Sequence, residues 1–153
     1  MSPLLEARDL VRIYETRRGL LGRPSHVRAV DGVSLKVRRG ETLGVVGESG
    51  SGKSSLGRML LGIDTAQGGA VYTNGKAMPI FGSPEWRSLR ARIQMIYQDP
   101  LAALDRRISV AEQLREPLDI HRIGDSDSRM ARVHEVMLSV GLRLDQADKI
   151  PHE

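Results

Sequence analysis

The chain has 153 residues, of which 40% are hydrophobic and 27% are charged, and its formal net charge is +4. This composition is typical of a soluble globular domain, since no stretch approaches the roughly 20 apolar residues of a membrane span. The absence of cysteine excludes disulfides and thiolate metal sites. The N-terminus has neither the basic nor the apolar region of a signal peptide, so we expect a cytoplasmic protein.

Part of the positive charge is local, because four arginines fall in one stretch: Arg17, Arg18, Arg23 and Arg28. Such a patch is compatible with nucleic acid or with anionic lipid headgroups. Aromatic residues make up only 3% of the chain, so side chains on which bases could stack are scarce. We therefore expect a solvated basic loop over 15–26 and no nucleic-acid partner.

Strands dominate the first part of the chain. Alternating apolar and polar residues predict antiparallel strands over 10–14 and 27–37, each with one face in water. Short apolar runs predict buried strands over 41–46 and 93–98, and the glycines around 68–75 predict a turn, a strand and a second turn.

Helices are predicted over 55–61, 84–92, 110–117 and 128–140 from the spacing of apolar residues and from their boundary residues. Ser83 is an N-cap before a proline, and Ser109 opens a capping box. Pro117 should end or kink its helix, and Gly141 should stop the last one. One face of that last helix is apolar, and its members are Met130, Val133, Met137 and Val140.

A glycine-rich loop is the most informative feature of the chain. Residues 47–54 read Gly-Glu-Ser-Gly-Ser-Gly-Lys-Ser, a complete match to the phosphate-loop pattern G-x-x-x-x-G-K-[ST]. The predicted strand before it and the predicted helix after it supply the context that this motif requires. A glycine-serine turn before an ordinary helix is the alternative. The sequence predicts a nucleoside triphosphate site.

The phosphate-loop mechanism assigns a role to each part of the motif. Loop amides and the helix N-terminus surround the phosphates, Lys53 reaches the β- and γ-phosphates, and the Ser54 hydroxyl ligates Mg²⁺. Ser55 could donate to the α-phosphate, whereas the Glu48 carboxylate should point away from it. The motif thus predicts a nucleoside triphosphate and Mg²⁺ as ligands. The predicted triphosphate-binding residues of the loop are Gly47, Glu48, Ser49, Gly50, Ser51, Gly52, Lys53, Ser54 and Ser55.

Four blocks in order resemble the ATP-binding cassette family, in particular the ATPase subunits of oligopeptide and dipeptide importers: residues 29–35, 40–55, 94–100 and 151–153. The resemblance implies an α/β P-loop NTPase fold. Residues 1–98 would form an antiparallel β subdomain with the P-loop core, and 99–153 the start of a helical subdomain. The family's signature segment, Walker B strand, catalytic glutamate and switch histidine do not occur, so we expect the N-terminal part of a cassette, truncated before its general base.

By position, Gln98 is similar to the family's Q-loop glutamine, which ligates Mg²⁺, and Tyr14 to an aromatic that stacks on adenine. A polar strand end and simple packing are the respective alternatives. The resemblance implies Mg·ATP hydrolysis, with Lys53 and Gln98 as catalytic residues. The implied partners are membrane permease subunits and a second ATPase subunit, at the cytoplasmic face of the inner membrane. A soluble P-loop kinase or GTPase, or a cassette ATPase acting on DNA or ribosomes, stays open.

Overall fold

The computed structural model describes residues 2–17, 24–99 and 101–153. The chain divides into two compact units, residues 1–93 and 94–153. The domain boundary that the sequence predicts after residue 98 stays a prediction. The middle of the predicted basic loop, including Arg18 and Arg23, lies outside the described residues. Its ends, 15–17 and 24–26, belong to paired strands, so the loop prediction is wrong there. In the described part, no helix is long and apolar enough to span a membrane.

An antiparallel sheet of four strands, in the order β2-β1-β3-β4, forms the frame of the first unit. Its strands are β1 (Leu5–Arg17), β2 (Pro24–Val37), β3 (Gly68–Thr73) and β4 (Lys76–Ala77). One edge of β1 pairs with β2 along its whole length, and the other edge pairs with β3. The antiparallel strands predicted at the start of the chain and the strand predicted within 68–75 are therefore confirmed.

The core of the first unit lies between this sheet and helix α1 (Lys53–Leu60). Leu10 of the sheet and Met59 of the helix are fully buried there, because each stands on the apolar face of its element. Helix α2 (Pro84–Arg90) begins after Ser83, whose hydroxyl accepts the N–H of Trp86, so the predicted N-cap is confirmed.

Two predicted strands are wrong. Residues 41–46 and 93–98 form no regular secondary structure, and their apolar side chains are open to solvent: Val46 is 94% and Ile96 96% exposed. A strand persists only where a neighbour completes its hydrogen-bond ladder. Within the described ranges no strand pairs with either segment. An apolar run in the sequence thus indicates that a segment tends to be buried, but it does not show that a neighbouring strand is there to pair with it.

The second unit is a pair of helices, α3 (Val110–Ile120) and α4 (Ser126–Ser139), with short 3₁₀ turns at Leu101–Ala103 and Leu144–Gln146. Its buried residues are Ala111, Val133, Met137 and Ala147. The Ser109 capping box is confirmed, because the Ser109 hydroxyl and the Glu112 carboxylate each accept a backbone N–H of the other residue.

Three details of the helical unit differ from the sequence prediction. Helix α3 continues past Pro117 to Ile120, so the proline does not end it. Helix α4 begins at Ser126, because Asp125 forms a second capping box. Val140 is 67% exposed and does not share the buried face of α4, since the helix ends one residue earlier. Gly141 follows with φ +81°, the left-handed conformation expected of a helix stop.

Candidate phosphate-binding site

The phosphate loop, residues 47–54, ends in the first residues of α1. Gly52 is the N-cap of α1 and has φ +91°, and Gly50 has φ +81°. Side chains rarely tolerate this left-handed conformation. At Gly52 a Cβ atom would also collide with the carbonyl oxygen of Ala29 in β2. The glycine at position 52 therefore lets the loop lie directly against the sheet.

Lys53 folds back over the loop that precedes it. Its Nζ donates to the carbonyl oxygen of Gly47 at 2.8 Å and to that of Glu48 at 2.6 Å, and lies 3.3 Å from Ser51 Oγ. One ammonium thus closes the loop into a ring and brings a full positive charge to its centre. Because the carbonyls are neutral, an incoming anionic oxygen is the stronger partner for this charge.

The N-terminal end of α1 is electrostatically open to an anion. In this described helix no side chain caps the first turn, and no acidic residue lies within that turn. The unpaired N–H groups and the partial positive charge of the helix therefore stay available to a ligand. Ser54 is exposed in the first turn, so its hydroxyl can reach a bound group.

Glu48 takes part in the site through its backbone, which the sequence pattern did not show. Its carbonyl oxygen accepts the shorter of the two Lys53 bonds, while the residue is exposed. The signal that could have revealed this is the loop length, since a lysine six positions after Gly47 can curl back on the loop.

Tyr14 lies next to the first turn of α1. Its hydroxyl is 3.3 Å from Ser55 Oγ and 3.2 Å from Asp64 Oδ2, and the Arg12 guanidinium lies 4.7 Å from its ring centre. The structure therefore brings Tyr14 together with Ser55 of the loop. Stacking of this ring on adenine stays a prediction.

Gln98 belongs to the second unit, where it is exposed and follows the irregular segment 93–97. Its role as a magnesium ligand stays a prediction.

A cleft of about 900 Å³ lies elsewhere in the first unit, between the β3–β4 turn and α2. Asn74, Ile80 and Arg92 are among its lining residues, and no phosphate-loop residue is. Cavity size does not decide the site, because a phosphate loop presents its amides at a surface and needs no deep pocket. We therefore give more weight to the loop than to the cleft.

The loop, the following helix and the antiparallel sheet define a P-loop nucleotide-binding fold. The chain belongs to the ABC transporter family, whose model matches residues 30–153. This membership confirms the resemblance that the four sequence blocks indicate.

Two relatives are similar in sequence to this chain over nearly its whole length. The identity is 46% over 146 residues with a peptide import ATP-binding protein of Brucella abortus, covering 95% of this chain and 44% of that protein. It is 42% over 154 residues with the oligopeptide transport ATP-binding protein OppD of Mycobacterium tuberculosis, covering 99% of this chain and 25% of that protein. The chain thus spans less than half the length of these two relatives.

A solved structure has the same fold. It is a dimeric ATP-binding cassette in a post-hydrolysis state, bound to ADP and phosphate, with a TM-score of 0.79 and 22% identity. The match covers 97% of this chain and 62% of the other. At this identity the likeness establishes the fold alone, and the fold is the one that the sequence predicts.

Proposed function

We propose that this chain is the ATP-binding part of the ATPase subunit of a peptide importer. In the whole protein, hydrolysis of Mg·ATP would drive the uptake of dipeptides, oligopeptides or related solutes. One observation carries the proposal: Lys53 Nζ lies at the centre of the glycine loop, 2.6 Å from the Glu48 carbonyl, directly before an uncapped helix N-terminus. The names of the two relatives support the solute class.

Phosphate binding would follow from the charges already in place. Lys53 exchanges its neutral carbonyl partners for the β- and γ-phosphate oxygens, and the amides of the loop and of the first turn of α1 donate to the remaining oxygens. The Ser55 hydroxyl lies one position farther along α1, where it could donate to the α-phosphate. Catalysis in such a site is mostly positioning and stabilisation of the developing charge, which Lys53 and Gln98 would supply.

The residues of the loop fit a magnesium ion. The Ser54 hydroxyl is exposed in the first turn of α1, and Mg²⁺ prefers oxygen ligands such as hydroxyl and amide oxygens. Ser54 and the Gln98 amide oxygen would hold the ion together with the phosphates. When bound, Mg²⁺ neutralises charge on the β- and γ-phosphoryl oxygens.

The proposed partners are membrane permease subunits and a second ATPase subunit, with the protein peripheral at the cytoplasmic face of the membrane. The dimeric state of the solved cassette supports the second ATPase subunit. We propose that the permease contact lies within residues 97–121, because this segment runs from Gln98 through helix α3. A cassette ATPase acting on nucleic acid rests on the basic composition alone and is not favoured.

Reconstitution of the whole importer in vesicles tests the proposal. Lys53→Ala should abolish both ATP hydrolysis and peptide uptake, because it removes the ammonium charge that lies over the loop. Lys76→Ala is the matched control, since it removes an exposed lysine from β4 and should leave both rates unchanged. Full turnover in Lys53→Ala would refute the assignment of the loop.

A second pair of measurements concerns Gln98 and the permease. Gln98→Ala should lower hydrolysis coupled to transport while ATP affinity changes little. Cysteines placed at positions 102–107 should cross-link to a permease subunit. If none of these positions ever cross-links to the membrane subunits, the contact lies elsewhere.

A further inference from the structure

The connection between α1 and β3, residues 61–67, is fastened to the second half of β1. The backbone N–H of Gln67 donates to the carbonyl oxygen of Val11 at 2.9 Å. Its side-chain amide bonds the backbone of Ile13 twice: Oε1 accepts from the Ile13 N–H at 2.9 Å, and Nε2 donates to the Ile13 carbonyl at 2.7 Å. Gln67 therefore pairs with β1 much as a strand residue would, and residues 64–67 are held beside it.

The same connection fixes the side chain of Tyr14 at two points. Asp64 Oδ2 lies 3.2 Å from the Tyr14 hydroxyl. The Arg12 guanidinium, which donates to the carbonyl oxygen of Thr65 at 2.7 Å, lies 4.7 Å from the centre of the Tyr14 ring. The hydroxyl and one face of the ring are thus both set by residues 64 and 65.

Asp64 is well placed to direct the phenol proton. Its side chain is 12% exposed, and its second oxygen accepts from Arg58 at 3.2 Å, so the carboxylate has a fixed orientation. The Tyr14 hydroxyl has one proton and two neighbouring acceptors, Asp64 and Ser55. The carboxylate is the stronger acceptor, so it sets the direction of the phenol O–H, and the Ser55 hydroxyl keeps its own proton to donate to a phosphate.

Hydrogen bonding by itself does not account for the position of Arg12. Its buried Nε donor has no acceptor among the described residues. An unpaired buried donor is unfavourable, so a contact besides the Thr65 bond is needed to offset its burial. The contact with the Tyr14 ring is of the cation–π type and provides this hold.

We propose that Asp64 and Arg12 are positioning residues that hold the Tyr14 ring for a nucleobase. Arg12 covers one face of the ring, so a base stacks on the opposite face, while Asp64 fixes the direction of the hydroxyl. This inference rests on the proposed function, since it assumes that a nucleotide occupies the phosphate loop.

The test compares two ligands that share phosphates and differ in the base. The protein is titrated with Mg·ATP and with magnesium tripolyphosphate, and binding is followed by NMR chemical shifts, which report millimolar affinities. The protein should bind ATP more tightly than tripolyphosphate. Tyr14→Phe keeps the ring but removes the hydroxyl that Asp64 holds. Tyr14→Phe and Asp64→Ala should therefore each weaken ATP binding by about threefold, part of the contribution of one aromatic contact, and leave tripolyphosphate binding unchanged.

A double variant separates positioning from a structural role. If Asp64 acts through the Tyr14 hydroxyl, then Asp64→Ala has no further effect on ATP affinity in the Tyr14→Phe background. Equal losses in both backgrounds, or an equal loss of tripolyphosphate binding, would overturn the proposal. Arg12→Met should also lower the preference for ATP. Its control, Arg28→Met, removes an exposed arginine of β2 and should leave the preference unchanged.

The outcomes also distinguish this inference from the proposed function. If Lys53→Ala does not weaken tripolyphosphate binding, or if the protein binds neither ligand, the proposed function fails and the inference fails with it. If Lys53→Ala weakens the binding of both ligands but the protein never prefers ATP over tripolyphosphate, the phosphate site stands and the positioning role alone is refuted.

Discussion

The two units differ in how far apart in the sequence the residues that determine their structure lie. In the second unit, the residues that start the helices act locally: Ser109 and Asp125 each exchange hydrogen bonds with a residue three positions away. In the first unit, the contacts around the phosphate site join distant segments. Gly52 lies against β2, and Tyr14 meets Asp64 across 50 positions. Local rules therefore account for the helix starts, whereas the site depends on the sheet.

The largest effect that we expect concerns the buried contact between the two helices, which the capping residues at the helix starts do not determine. Met137 is completely buried between the helices, and Met137→Ala should lower the free energy of unfolding by about 2 to 5 kcal/mol. Leu138→Ala, on the exposed side of α4, should change it by about 0.5 kcal/mol at most. Denaturant unfolding measures both. Equal losses would show that the buried face is not where we place it.

The next effect concerns the contact between the phosphate loop and the sheet. Gly52→Ala should cost about 1 to 3 kcal/mol in backbone strain, because φ is +91° there, and should abolish triphosphate binding. The clash with Ala29 adds to this cost. Gly57→Ala is the matched control, since the site inside α1 is open and a helical alanine should stabilise by about 0.5 to 1 kcal/mol. A Gly52→Ala protein that binds triphosphate normally would contradict our description of the loop.

A smaller effect tests the local rule itself. Ser109→Ala removes the N-cap of α3 and should lower the free energy of unfolding by about 1 kcal/mol, measured by circular dichroism during denaturation. Ser126→Ala, at an exposed first-turn position of α4, serves as the control and should have little effect. If the two variants were equally stable, the capping box would not contribute.

The smallest effect is a dependence on acid. Two hydrogen bonds from the Arg107 side chain, with a third from its backbone, lower the pKa of Asp105 from 3.8 to about 2. The folded state therefore favours the ionised carboxylate. This stabilisation is complete above about pH 4 and is lost as the pH falls toward 2. Unfolding measured between pH 5 and 2 should show a shallower loss in Asp105→Asn, and an unchanged slope would contradict the pairing.

Much of the fold could be predicted from local patterns in the sequence. Alternation of apolar and polar residues gave the β1–β2 pair, and capping residues gave the starts of α2 and α3. Pro117 misled the prediction of where α3 ends, because a proline weighs against a helix locally while the packing of α3 on α4 favours its continuation. The strand predictions over 41–46 and 93–98 were wrong as well, because strand formation depends on a neighbouring strand that local sequence does not reveal.

The candidate site likewise contains residues that a local motif predicts and residues that it does not. The motif predicts roles for Lys53 and Ser54, because the chemistry of a phosphate loop requires those residue types at that spacing. It did not identify Asp64, Arg12 or the pairing of Gln67 with Ile13, since an aspartate after a helix and a glutamine before a strand have no distinctive local pattern. Only the sheet brings these residues to Tyr14.

The most direct test of the central claim, that the phosphate loop holds a nucleoside triphosphate, is to map which backbone amides respond to Mg·ATP by NMR. We expect the amide signals of residues 47–55 to shift as ATP is added, and the same shifts in Lys53→Ala to require at least about tenfold more ligand, as loss of a charge-assisted contact implies. The Lys76→Ala protein should respond as the unmodified one does. Shifts confined to the cleft around Asn74, Ile80 and Arg92, with the loop silent, would contradict the account.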